Sequence, residues 1–73
     1  MEYYERMKAI RVDNDLSQKA VADRLNIKQQ QYSKYETGKG LIPITYLTEF
    51  CRAFGVSADY ILGLPDDFEY IKR

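Results

Sequence analysis

Apolar residues recur along this chain at helical spacing in five short bursts, each closed by residues that favour a turn. No stretch alternates apolar and polar residues long enough to predict a strand. Tyr3, Met7 and Ile10 fall at i, i+4 and i+7, one stripe of a first helix that ends near Asp13, Asn14 and Asp15. Ser17 predicts the N-cap of a second, whose buried side is Val21, Ala22 and Leu25. Asn26 then tolerates the left-handed exit that a tight turn needs. A third helix runs from residue 28 or 29 to 36 and is closed by Gly38. Pro43 suits the first turn of a fourth, with Leu47, Phe50 and Phe54 inward and Gly55 at its end. Ser57 caps a fifth, with Asp59 in its first turn, Tyr60, Ile61 and Leu64 as apolar members, and Gly63 and Pro65 as stops. The prediction is an all-α bundle of five short helices, one domain over residues 1–65. A tail, "DDFEYIKR", follows at residues 66–73. Its Phe68 and Ile71, three apart, would add a helical turn or a dimer contact, or fray.

Seventy-three residues lie near the lower limit for a domain without staples. One cysteine, Cys51, excludes an internal disulfide, and the absence of histidine excludes a Cys/His zinc site, a histidine acid/base and a Ser-His-Asp triad. Cys51 falls at a small core position of the fourth helix. No apolar run reaches the length of a membrane span and no signal-peptide core opens the chain, so a cytoplasmic address is expected. The acidic "DDFE" lacks the ligand count of a calcium loop, and neither an enzyme nor a cofactor is expected.

Net charge is zero, but its distribution is uneven. Lys19, Arg24, Lys28, Lys34 and Lys39 face only Asp23 and Glu36 across residues 16–48, while acids collect toward both ends. A basic middle can hold a polyanion locally; an evenly solvated surface fits the same count.

The third helix, "KQQQYSKYETGKG" with its exit, has two faces. At 100° per residue, Gln29, Ser33, Gln30 and Lys34 share an arc of about 140°. Tyr32, Tyr35 and Glu36 lie opposite, and Gln31 sits at the edge. A glutamine amide donates and accepts together, which matches the N6/N7 edge of adenine in the major groove. Exposed glutamines are also simply good helix formers in water, so the face alone does not decide.

The surrounding segment does. "LSQKAVADRLNIKQQQYSKYETGK" holds a short helix, a turn of about three to four residues and a second short helix with a capped exit, as a helix-turn-helix requires. With "IPITYLTEFCRAFGVS" and "ADYILGL" following in order, residues 6–64 resemble the Cro/repressor-type helix-turn-helix domains of bacterial and phage transcription regulators. The resemblance implies a lambda-repressor-like fold and sequence-specific binding of double-stranded DNA. It assigns Gln18 to the DNA backbone and to bracing the reading helix. It assigns Gln29, Gln30, Ser33 and Lys34 to base reading, and Lys28, Gln31, Tyr35 and Lys39 to the backbone, with Tyr35 part of the core first. Backbone amides of the loop after Gly38 would join Lys39 on the phosphates. A homodimer on a palindromic operator, half-sites ~34 Å apart, is implied, acting as a repressor. No small-molecule effector is expected, since no effector domain fits this length.

Four positions depart from the family pattern. Lys28 replaces the usual Ser or Thr N-cap, and Asn26 stands where glycine is common. Tyr32 replaces a buried aliphatic residue, which predicts its hydroxyl at the rim. Gly40 stands where arginine is common, which weakens the expected phosphate grip. The competing class is a protein-interaction module, such as an antitoxin or antirepressor, suggested by the zero net charge and the seven tyrosines and three phenylalanines.

Overall fold

The computed structural model describes residues 1–65 and contains five helices and no strands among them. They are α1 (Tyr3–Asp13), α2 (Gln18–Leu25), α3 (Gln29–Glu36), α4 (Ile44–Phe54) and α5 (Ala58–Leu62). The expected role of the tail, with Phe68 and Ile71, falls outside the described residues.

The helices start and stop where local chemistry dictates. Ser17 Oγ accepts from the Ala20 N–H at 3.0 Å and Ser57 Oγ from the Tyr60 N–H at 3.1 Å. Each satisfies one of the amide donors that a helix start leaves orphaned. Asn26 exits α2 at φ 58°, in the left-handed region its short polar side chain tolerates. Pro43 stands at the N-cap of α4, its carbonyl accepting from Leu47 at 3.0 Å, one position before the first turn where the sequence puts it.

The core is built from the predicted stripes. Met7 and Ile10 of α1, Val21, Ala22 and Leu25 of α2, Tyr32 of α3, Leu47 and Phe50 of α4 and Ile61 of α5 pack into one cluster. Burying Phe50, Met7 and Ile61 completely contributes about 1.5–3 kcal/mol each. Phe54 is half-buried, stacked against Phe50 at 4.6 Å with the Arg24 guanidinium above its ring. Cys51 packs against the cluster, and burial pushes its thiol up from the ordinary value. α3 is held between α1 and α2, so its placement depends on both.

The fifth helix ends at Leu62 with Gly63 as its cap, where the sequence puts its stop, but of its expected apolar members only Ile61 reaches the core, while Tyr60 and Leu64 are exposed. Five residues make little more than one turn, so a single side chain can point inward. Gly63 then reverses the chain, and the Leu64 N–H returns to the Asp59 carbonyl at 2.9 Å.

Candidate nucleic-acid interface

α2 and α3 cross closely because Ala22, fully buried, presents only a methyl group to α3. The Ile27 N–H closes the turn between them onto the Ala22 carbonyl at 3.0 Å. This is the helix–turn–helix geometry, and it leaves one face of α3 in solvent.

That face carries Gln29, Gln30 and Lys34, all exposed, with Ser33 half-buried beside them. Tyr32, Tyr35 and Glu36 are buried on the other side, as the helical wheel separates them. Lys28 stands at the N-cap without a side-chain hydrogen bond, because an ammonium cannot accept from the first-turn amides. It is exposed, as is Lys39 beyond the exit. Gln31 is half-buried and donates from Nε2 to the Tyr35 hydroxyl at 2.8 Å. The Tyr35 ring leans on Tyr46 of α4, centroids 6.3 Å apart.

The inner side of α3 is anchored by charge as well as by aromatic rings. Arg11 of α1 grips Glu36 with both ends of its guanidinium, Nε to Oε2 at 2.9 Å and Nη2 to Oε1 at 2.7 Å. Its remaining Nη1 donates to the Leu16 carbonyl at 2.8 Å. Gln18 Nε2 donates to Glu36 Oε1 at 3.3 Å, a direct brace from α2 to α3. Burial pushes the Glu36 carboxyl up, but hydrogen bonds and the Arg11 charge outweigh it and hold the group below the ordinary carboxylate range. On the other partner, the bond from Glu36 raises the Arg11 guanidinium further.

Tyr32 corrects an expectation. Its hydroxyl is not at the rim but fully buried beside Glu36, outside ordinary hydrogen-bond geometry to any group among the described residues. Burial first, then the neighbouring carboxylate, drive its pKa well above the usual phenol value. The physical reason is position: Tyr32 is at the centre of α3, where α1 and α2 both close over it.

The loop after Gly38 turns its first amides inward. The Gly38 N–H bonds to the Tyr35 carbonyl at 3.3 Å, and the Lys39 and Gly40 N–H groups bond to the Lys34 carbonyl at 2.9 and 3.1 Å. These three amides are engaged within the turn, and the Lys39 side chain is exposed beside them. Sequence reasoning missed Arg11 and Tyr46, which hold α3 from behind, and Tyr4, whose ring packs on Gly38 at its exit. A carboxylate on the inner arc of the helical wheel, at Glu36, was the signal that a cationic partner had to exist.

The family model described as helix-turn-helix matches residues 7–61. The chain is 34% identical over 65 residues to an uncharacterized HTH-type transcriptional regulator, YobD, of Bacillus subtilis, covering 89% of this chain and 58% of that protein. It is 41% identical over 58 residues to the SPbeta prophage-derived uncharacterized HTH-type transcriptional regulator YonR of the same organism, 80% of this chain and 54% of that protein. It is 31% identical over 63 residues to the HTH-type transcriptional activator BcrR of Enterococcus faecalis, 86% of this chain and 31% of that protein. The chain thus spans about half the length, or less, of these relatives. The match runs from the first core methionine to the last core isoleucine, and on it the chain belongs to the Cro/C1-type helix-turn-helix family.

Proposed function

We propose that this chain is a sequence-specific, non-enzymatic regulator of transcription that lays α3 in the major groove of double-stranded DNA. Gln29, Gln30, Ser33 and Lys34 read base edges. Gln18, Lys28, Tyr35 and Lys39 meet the phosphate backbone, with Gln31 at its margin. One observation carries this reading: the outer face of α3 holds free amides and an ammonium, while its inner face is locked by Tyr32, Tyr35 and the Arg11–Glu36 pair. A reading helix needs that rigidity, because a base contact discriminates only if its donors are already placed.

One α3 exposes few discriminating side chains, and each mismatch costs only about 1–3 kcal/mol. Two copies on a palindrome multiply that discrimination, so the working form is a homodimer in the cytoplasm. Repression by occupancy requires nothing beyond that bound dimer.

The test is selection from a randomised DNA pool at about 0.1 M salt, where surface charges are screened beyond ~10 Å. Wild type is expected to enrich a palindrome with adenine-containing half-sites. The Gln29→Ala/Gln30→Ala double mutant, with its fold intact, should lose that preference at a cost of roughly 1–3 kcal/mol per base position. Absence of enrichment by wild type would sink the proposal and favour a protein-interaction module.

A further inference from the structure

The hydrogen bond from Gln31 to Tyr35 has no part in base reading, yet it sets the direction of a polar group. A phenolic oxygen that accepts a hydrogen bond still has its own proton to give. Tyr35 accepts from Gln31 Nε2 at 2.8 Å, and its O–H donates to no group among the described residues. The ring cannot swing to find another partner. It is only 8% exposed, tilted at 33° against the Tyr46 ring, and Gly40 lies over its edge, where an added Cβ would stand 3.9 Å from Cδ1.

The surroundings favour an anion. From Lys28 to Gly40 the one acid is Glu36, whose carboxylate is buried and neutralised by Arg11, so this segment itself carries no exposed carboxylate. Lys34 and Lys39 are exposed on either side of Tyr35 in sequence. The amides of Gly38, Lys39 and Gly40 are engaged within the turn. A phosphate arriving at this edge therefore finds the Lys39 ammonium and no spare amide at residues 38–40.

We propose, resting on the DNA-binding reading above, that Tyr35 donates its hydroxyl proton to a DNA phosphate oxygen, and that Gln31 is the positioning residue that holds that proton outward. Gln31 acts through Tyr35 and does not itself touch the DNA, in keeping with its half-buried place. A hydroxyl donating to an anionic oxygen forms a charge-assisted bond. Being neutral, it displaces no counterion, so it raises affinity without steepening the salt dependence. That separates the contact from every lysine at the interface.

The experiment measures binding of the full chain to its selected operator across a series of salt concentrations. Wild type, Tyr35→Phe, Gln31→Leu and the double mutant are compared, with thermal melts alongside. Tyr35→Phe keeps the ring and its packing and should bind about tenfold more weakly at every salt concentration, with a parallel salt slope and little change in melting temperature. Gln31→Leu should weaken binding several-fold, and should add nothing once Tyr35→Phe is present. If Gln31→Leu weakens binding as much in the double mutant as alone, Gln31 touches the DNA directly and the positioning role is wrong. Wild-type affinity in Tyr35→Phe would overturn the Tyr35–phosphate contact alone. No DNA binding by wild type would overturn the DNA reading and that contact with it.

Discussion

Gly38 turns the chain out of α3 at φ +79°, and an added Cβ there would stand 2.6 Å from Cζ of Tyr4. Two separate penalties meet at this residue. A side chain in the left-handed region costs about 1–2 kcal/mol, and the Tyr4 ring must then move out of the way. Gly55, at the exit of α4, isolates the first penalty: its φ is +66° and nothing lies within 4 Å of an added Cβ. Gly55→Ala is therefore expected to cost about 1–2 kcal/mol, and Gly38→Ala about 3 kcal/mol, once the cost of overpacking is added. Urea melts of the two mutants and of Tyr4→Ala/Gly38→Ala decide it. Equal losses at both glycines would show that the Tyr4 ring gives way freely and does not fasten α1 to the exit of α3. The glycine itself was plain in the sequence as a cap; the ring packed on it, 34 positions earlier in the chain, was not.

At the scale of elements, the Arg11–Glu36 pair joins α3 to α1. The side chains retain 13% and 1% of their exposure, so breaking the pair strands a charge in a poorly hydrated place. Glu36→Gln should destabilise by about 3 kcal/mol, since one partner is left without its counter-charge. The pH dependence follows from the direction of the Glu36 shift. A carboxyl whose folded value is depressed contributes stability that is fully present above its unfolded value, about 4.3, and is lost as pH falls through the folded value. The raised Arg11 guanidinium contributes nothing at these pH values, because it stays protonated throughout. Wild type should thus lose stability below about pH 4.3, and Glu36→Gln should flatten that part of the profile. Identical acid profiles would place the acid-labile contacts elsewhere. The helices and the two faces of α3 were legible because periodicity and caps are local signals, carried within a few residues. The pairing of Arg11 with Glu36 was not, because it joins positions 25 apart, and no local pattern encodes which cation a buried acid will meet. The exposure of Tyr60 and Leu64 and the depth of the Tyr32 hydroxyl escaped for the same reason: both depend on how neighbouring helices close over them.

The whole molecule carries 11 basic and 11 acidic residues, so any hold on DNA comes from where the charges sit and not from their sum. Among the described residues three cations are already committed: Lys19 pairs with Asp23 at 2.9 Å, Arg52 with Glu49 at 2.9 Å, and Arg11 with Glu36. Lys28, Lys34 and Lys39 stay exposed along α3 and its flanks, while acids such as Glu2, Asp13, Asp15 and Asp59 lie on other elements. A molecule so arranged attracts a phosphate chain only at short range, within about a Debye length of ~8–10 Å in ordinary salt. Its non-specific affinity should therefore be modest, and specific binding has to come from α3. Lys39 offers a clean measure of the electrostatic part, because its own amide and those of Gly38 and Gly40 are engaged within the turn. Lys39→Ala should weaken binding to all sequences about equally and flatten the slope of log affinity against log salt by about one unit, one phosphate contact's worth of released counterions. The same titration on Tyr35→Phe should lower affinity without changing the slope. If the Lys39→Ala loss is instead confined to one sequence, Lys39 reads a base and the polarity of the α3 exit has to be reassigned from backbone to groove.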